Sequence, residues 1–271
     1  MRSYVDHAYL SIRNSELPED VEIRFCLLDQ ESTDMDVKRW QEDNPETDYI
    51  RFEPRIALAK AWNTGIKKAI EWGATHIGIF NDDIVLHPKT IKHLMNFMDK
   101  TGYLMVTADN IKDRMSLETM MQMELPKEFT DYDCDPIGDW RAEGPDFSCY
   151  MVDPKIIDII GWFDENFIGA YCEDQDYHVR IRRAYEHIKN HNDKGIDAER
   201  VHAKRLSTAP YYHYASTTLA VNAHLRADIY DKHIHNQNYY LRKWGAEHPI
   251  AMDGRGNIQP FGVAGKDWRD W

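Results

Sequence analysis

The chain has little that would tie it to an oxidising compartment or to a membrane. Cys26, Cys134, Cys149 and Cys172 show no C-x-x-C spacing. That argues against a disulfide framework. Cys26 and Cys149 lie in apolar runs and read as small core residues. All four are expected as reduced thiols, which points to a reducing, cytoplasmic setting. No apolar run reaches the roughly 18 residues of a membrane-crossing helix. The opening MRSYVDHAYLSIRNS has no apolar h-region, so no signal peptide is expected. There is no internal repeat and no low-complexity tract. Positive charge is in deficit: the net charge is −13, with the acids spread along the chain. That disfavours sliding along nucleic acid but leaves room for a local basic face.

What is present is a strand–helix alternation in 271 residues, enough for one large α/β domain. Val21 to Leu28 read as a strand entering a turn that begins at Asp29. Residues 55–72 carry apolar side chains at 58, 62, 66, 69 and 70, a helical spacing closed by Gly73. His76 to Phe80 read as a buried strand, and Pro88 opens a helix with Ile91, Leu94, Met95 and Met98 on one face. Strands are expected over Tyr103–Thr107, Phe147–Val152 and Glu199–Ala203. Asp153-Pro154 starts a helix over KIIDII. A longer helix follows with Tyr177, Ile181, Tyr185 and Ile188 inward. A last helix over 226–244 should turn Tyr230, Ile234, Leu241 and Trp244 to one side. Such alternation predicts a mainly parallel sheet flanked by helices. Residues 109–146 suit a long functional loop. The organisation expected is one domain, 1–225, with a C-terminal helix and surface tail, 226–271, packed on it.

Three constellations carry chemistry. The first is Asn81-Asp82-Asp83 at the end of a core strand. Ligands of open parallel sheets sit beyond the carboxyl ends of strands, and Asp29 shares that edge. Two acidic strand ends make a hard-oxygen site suited to Mg²⁺ or Mn²⁺ shared with phosphates. The plain alternative is that Asp and Asn simply favour turns. The second is Glu173-Asp174 with Asp176 at a helix start, near Trp162, Phe163, Phe167 and Tyr171. The helix dipole alone explains one acid there. A carboxylate beside apolar walls could also act as a general base. Arg180 reads as an intrahelical partner of Asp176. The third is His213 among Tyr211, Tyr212 and Tyr214. A lone His among aromatics is more often packed than ligating. As a ligand it would tilt the metal from Mg²⁺ towards Mn²⁺.

In order, these pieces resemble the family 2 glycosyltransferases with the inverting GT-A (Rossmann-like) fold. Leu28-Asp29 with Ser32-Thr33-Asp34 resembles the family's strand end and S-T-D turn. Ala59-Lys60-Ala61-Trp62-Asn63-Thr64-Gly65 resembles its A-x-A-R-N-x-G helix. Asn81-Asp82-Asp83 falls on the D-x-D motif. Gly161, Phe163, Asp164, Glu165, Phe167, Glu173, Asp174, Asp176, Tyr177 and Arg180 match G-x-F-D-E-x-F…E-D-x-D-Y-x-x-R. His213 with Ser216 and Thr217 matches a late His. Tyr240 to Gly245 resembles a Y-x-x-K-W-G ending.

The resemblance implies transfer of a sugar from a nucleotide-diphosphate donor, a UDP-sugar first, to an acceptor hydroxyl with inversion. It implies Mn²⁺ or Mg²⁺ held by Asp83 and His213. Donor contacts would come from Asp29, Asn63, Asn81 and Asp82. Asp174 would be the base, with Glu173 beside it. The acceptor is left open among a glycan, a protein and a modified nucleic acid such as a hydroxymethylated base.

Three departures stand out. Residues 4–19 already resemble the helix after the family's first strand, so that strand is absent, replaced by another segment, or upstream of residue 1. Trp62 stands where Arg is common, and Asn81 replaces the first Asp of D-x-D. Two rival readings remain. A nucleotidyltransferase would need a glycine-rich basic loop, which is absent. A non-catalytic carbohydrate- or protein-binding relative would fit the missing strand, but not the joint presence of Asp83, Glu173, Asp174 and His213.

Overall fold

A computed structural model describes residues 2–32, 37, 39–127, 129, 134–135, 146–191, 195–214 and 223–244. In chain order the elements are α1 (Arg2–Arg13), β1 (Cys26–Gln30), α2 (Trp40–Asp43), β2 (Asp48–Phe52), α3 (Leu58–Glu71), β3 (Ile77–Phe80) and β4 (Ile84–Leu86). They continue with α4 (Thr90–Thr101), β5 (Met105–Asn110), α5 (Leu117–Met121), β6 (Cys134–Asp135), β7 (Cys149–Val152) and α6 (Lys155–Ile160). The last are α7 (Glu173–His191), a 3₁₀ turn (Ala198–Val201), β8 (Ala203–His213) and α8 (Ala223–Trp244).

The larger sheet runs β3-β7-β5-β8-β4, with β6 also on β8, while β1 and β2 form a separate pair. Strand direction is mixed. β1–β2 and β5–β8 are parallel, as the alternation predicts. The β3–β7, β5–β7, β4–β8 and β6–β8 pairs are antiparallel. Helix α3 contacts both β1 and β3 and so ties the small sheet to the large one. It comes close: a methyl on Gly65 would lie 3.0 Å from Leu28 Cδ1.

The sheet is buried on both faces, and β7 shows why. Tyr150 and Val152 point into a core with Trp62 and Ile66 of α3, Ile156 and Ile160 of α6, and Tyr177 and Ile181 of α7. Cys149 and Met151, one residue out of phase, join Ala8 and Ile12 of α1 and Ile91, Leu94 and Met98 of α4. The period of two along a strand sends alternate side chains to the two layers. Full burial of such side chains is worth about 1.5–3 kcal/mol each. The apolar face expected on α4 is the buried one.

Several boundaries differ from expectation. The first strand is Cys26–Gln30, so Asp29 lies inside it rather than in the following turn. Residues 21–25 carry no ladder, because β2 offers partners only from Cys26 onward. The expected strand at 199–203 is the 3₁₀ turn, and the strand that follows runs eleven residues to His213. On α8, Tyr230, Ile234 and Leu241 are exposed, while Asn236, Tyr240, Lys243 and Trp244 are buried. The helix is rolled so that polar and charged groups face the protein. Trp62 is a core residue, with ring centroids 5.0 Å from Phe163 and 5.9 Å from Tyr150. Cys26, Cys149 and Cys172 are free thiols. No helix among the described residues is long and apolar enough to cross a membrane. The expected tail from Pro249, the centre of the 109–146 loop, Thr33-Asp34 and Ser216-Thr217 lie outside the described residues.

Candidate active site

The Asn81-Asp82-Asp83 segment links β3 to β4. Asn81 donates its backbone N–H to Ser148 O at 2.9 Å, continuing the β3–β7 pairing. The β4–β8 register sets Ile84 opposite His213. Tyr214 N–H donates to Asp83 O at 2.9 Å. That brings His213 Nε2 within 3.0 Å of Asp83 Oδ1, across 130 residues of sequence. Both side chains keep some exposure, 15% and 14%. A carboxylate oxygen and an imidazole nitrogen facing each other at a sheet edge suit a divalent cation that keeps waters and takes phosphate oxygens. No group of three or more His, Cys, Asp or Glu side chains able to hold a metal occurs among the described residues. A cation here would therefore rest on this pair, with solvent and substrate completing its shell.

Asp82 reaches solvent, yet protein crowds it on most sides. That crowding, with the negative charges of Asp83 and Asp29, lifts its carboxyl to about 6; His213 pulls the other way. Asp29 itself is closed off at 3% exposure. Ser32 N–H donates to its Oδ1 at 2.8 Å, and Tyr49 Oη and Arg51 donate to its Oδ2. Burial alone would raise this carboxyl; the hydrogen bonds from Tyr49, Ser32 and Arg51 prevail and leave it lowered. Both oxygens accept hydrogen bonds from within the protein, and Asp29 anchors Tyr49 and Arg51.

Asn63 is likewise hydrogen-bonded within the protein. Its amide donates to Phe163 O and to Glu165 Oε1, both at 2.9 Å, and accepts from Phe163 N at 3.0 Å. It is spent on holding the Gly161–Phe167 stretch, which leads into the second acidic centre.

That centre is the first turn of α7. Glu173 is 3% exposed and Asp174 half-buried. Burial raises both carboxyls. The Asp174 charge adds to the rise at Glu173, and the Asp146 charge to that at Asp174. Backbone N–H groups of the turn oppose the rise, as helix N-termini do. Glu173 Oε2 has no hydrogen-bond partner among the described residues. Tyr171 and Cys172, just before, sit at φ 78° and 76°, the left-handed region that side chains disfavour.

The strained turn is held from α8. Asn236 donates to the carbonyls of Ile168, Ala170 and Tyr171 at 2.8, 3.1 and 2.9 Å, and accepts from Ile168 N at 2.9 Å. Gly169 in this loop has φ +70°, and a Cβ there would meet Lys232 Cδ at 2.7 Å. Below it lies a buried charge network. Lys243 Nζ is 2.6 Å from Asp164 and 2.7 Å from Asp176. Asp176 also takes Arg180 at 3.0 Å, the intrahelical pair expected, and Trp244 Nε1 at 2.8 Å. The signature acids thus divide: Asp164 and Asp176 are tied into the buried charge network, while Glu173 and Asp174 stand outside it.

Residues 146–149 lead from the Asn81 segment into β7. Ser148 receives the Asn81 N–H, and its own N–H donates to Asp146 Oδ1 at 2.9 Å. The Asp146 charge acts both on Asp174 and on Tyr211, two residues before His213. Sequence reasoning missed Asp146, Asn236 and the Tyr49–Arg51 pair. For Asp146 a signal existed, an acid just before a buried strand. For Asn236, inside a polar helix, there was none. A cavity of about 320 Å³ lined by Tyr9, Arg13, Arg24, Glu46 and Trp72 lies apart from these acids and carries no part of the site.

These elements make a mixed α/β sheet with helices on both faces, and comparison with known proteins gives its family. The family model described as glycosyl transferase family 2 matches residues 2–157, more than half of the chain. The protein belongs to the family 2 glycosyltransferases. Among solved structures, S. aureus TarS 1-349 superposes with TM-score 0.52 at 14% identity, over 89% of this chain and 62% of that one. The same protein in complex with UDP-GlcNAc gives TM-score 0.55 at 14% identity, over 88% and 63%. GalNAc-T7 with UDP, GalNAc and Mn²⁺ gives 0.51 at 11% identity, over 78% and 41%. These likenesses establish the GT-A fold. The chain spans less than two thirds of the length of these structures. No curated protein matches its sequence.

Proposed function

We propose that the protein transfers a sugar from a nucleotide diphosphate, a UDP-sugar first, to an acceptor hydroxyl with inversion at the anomeric carbon. The observation that carries this reading is the Asp83–His213 pair, 3.0 Å apart at the sheet edge. Asp83 and His213 would hold Mn²⁺ or Mg²⁺, which supplies positive charge opposite the departing diphosphate. Asn81 and Asp82 line the donor side. Asp174 takes the proton of the acceptor hydroxyl as that oxygen bonds to the anomeric carbon. The bond from this carbon to the diphosphate oxygen breaks, and the diphosphate leaves with the electron pair. Glu173 borders the base on its buried side. Asn63 and Asn236 work through the loops they hold. The closed state of Asp29 shifts recognition of the nucleotide to other groups.

The test is diphosphate release and transfer with a panel of nucleotide sugars in Mn²⁺, Mg²⁺ or chelator. Asp174→Asn should retain donor binding and lose transfer by about 10²-fold or more, the scale of a lost general base. Transfer at the wild-type rate would remove Asp174 from the base role. The non-catalytic carbohydrate- or protein-binding reading draws on one observation, the internally hydrogen-bonded Asp29. It requires no turnover with any donor and acceptor pair.

A further inference from the structure

The loop ahead of the site acids holds an aromatic ring outward on strained backbone. Tyr171 and Cys172 take φ of 78° and 76°, two consecutive side chains in the left-handed region. Such backbone is unfavourable and persists only where the surroundings impose it. They do so here. Asn236 donates to the carbonyls of Ala170 and Tyr171 at 3.1 and 2.9 Å, and Leu58 N–H donates to Gly169 O at 2.7 Å. Cys172 is buried, and its carbonyl takes the Asp176 N–H at 2.9 Å as α7 begins. Tyr171 is 43% exposed. Its ring has a firm support, packing edge-on against His233 of α8 with centroids 5.0 Å apart and planes at 75°. One turn earlier on α8, Tyr230 is exposed as well, and so is Ile168 in the loop. A loop shaped for packing alone has no use for tyrosine in this conformation. Glycine adopts it freely, as Gly169 does at φ +70°. Rigidly held, exposed apolar surface of this kind marks a binding site.

The chemistry of the patch selects the ligand. Asp174 follows Tyr171 by three residues, a span of at most about 11 Å of fully extended chain. Glu173 lies between them, and its Oε2 has no hydrogen-bond partner among the described residues. Both carboxyl groups offer acceptor oxygens. Among the described residues the cation that reaches this loop, Lys232 against Gly169, is paired with Asp228 at 2.7 Å. A ligand here must bring its own hydrogen-bond donors and carry no negative charge. A neutral sugar meets both conditions. The C–H face of its ring lies on an aromatic face, while the hydroxyls around its rim reach acceptors. A phosphate-bearing chain, nucleic acid included, would approach Asp174 without a free cation to receive it, on a protein of net charge −13.

We propose that Tyr171, supported by His233 and flanked by Tyr230, is the platform for a neutral sugar on the acceptor side, so that the acceptor is a glycan. This deepens the proposed transfer and rests on it.

The test is binding of the full chain, with UDP and Mn²⁺ present, to an array of neutral oligosaccharides, phosphorylated and sulfated oligosaccharides, and Ser- or Thr-containing peptides. Wild type, Tyr171→Gly and Tyr171→Phe are compared. Neutral oligosaccharides should bind. Tyr171→Gly should weaken them about ten-fold or more, the scale of a truncated aromatic anchor. Glycine suits the left-handed backbone, so this variant removes the ring without straining the fold, which thermal unfolding checks. Tyr171→Phe keeps the ring and should stay within about three-fold of wild type. A ring that only packs on His233 would change the unfolding temperature and leave glycan affinity alone, and that result overturns the proposal. So does binding confined to peptides or anionic glycans, or no neutral glycan bound.

Other outcomes separate this inference from the reading beneath it. If neutral glycans bind through Tyr171 and no nucleotide sugar turns over, the platform stands and the transfer fails. If Tyr171→Gly loses the glycans while Asp174→Asn transfers at the wild-type rate, the platform stands and the base assignment fails. If Asp174→Asn is inactive and Tyr171→Gly binds glycans like wild type, the base stands and this inference falls.

Discussion

Lys243 and Asp176 form an ion pair with no exposure to solvent, 2.7 Å from Nζ to Oδ1. One end lies in the final described helix and the other in the helix that begins with the two site acids. A second carboxylate, Asp164, shares the same ammonium at 2.6 Å. Charges so placed fix geometry more than they add stability, because desolvation offsets much of their attraction.

Removing the shared cation should therefore be severe. Lys243→Met leaves Asp164 and Asp176 buried with less positive charge than they need. The expected loss is about 3–5 kcal/mol in denaturant unfolding. A loss under ~1 kcal/mol would mean that water already reaches these carboxylates.

The same pair predicts an acid dependence. Burial alone would raise the Asp164 carboxyl. The charge and hydrogen bond of Lys243, the Asn166 N–H and the Tyr239 hydroxyl prevail and leave it lowered. A depressed carboxyl contributes stability above its unfolded value, about 3.9, and loses it as pH falls through the folded value. Asp29 adds a contribution of the same sign. Unfolding midpoints in urea should therefore drop as pH is lowered from about 5 to 3. The drop should shrink in Lys243→Met, where Asp164 is no longer held down.

Asn236→Ala strips the carbonyls of Ile168, Ala170 and Tyr171, and the N–H of Ile168, of their side-chain partner. The expected cost is about 2–4 kcal/mol, from several buried polar groups left unmet. Because the turn before Glu173 loosens, kcat should fall while the donor KM holds. Thermal unfolding and steady-state kinetics on the same preparation separate the two effects.

Asp83→Ala should abolish the response to added metal. His213→Ala should keep a weaker response and lose any preference for Mn²⁺ over Mg²⁺, since the imidazole is the softer ligand. The readout is the ratio of rates in the two ions. An unchanged ratio would take His213 out of the metal site.

Much of this was legible from local pattern. The buried faces of α4 and α7, the double burial of β7 and the acidic strand end at 81–83 follow from periodicity and turn chemistry. Contacts set by distant partners were not legible. β1 begins at Cys26 because β2 offers its ladder there, although the apolar alternation starts at Val21. Helix α8 shows Tyr230, Ile234 and Leu241 to solvent because Asn236 and Lys243 find partners across 65–79 residues of sequence. Sheet direction also eluded the pattern, since strands buried on both faces look alike whichever way they run. At the site, residue types pointed to two acidic centres. They did not reveal that Asn63 and Asp29 are fully occupied within the protein.

The clamp from Asn236 on the loop ahead of Glu173 has a consequence for biosynthesis. The ribosome makes the acidic turn well before the amide that shapes it, so a nascent chain carries Glu173 and Asp174 in an unfinished conformation. That conformation is completed only when the last described helix emerges and docks. A message cut short between these points would yield a product with every signature acid and an unclamped turn ahead of Glu173.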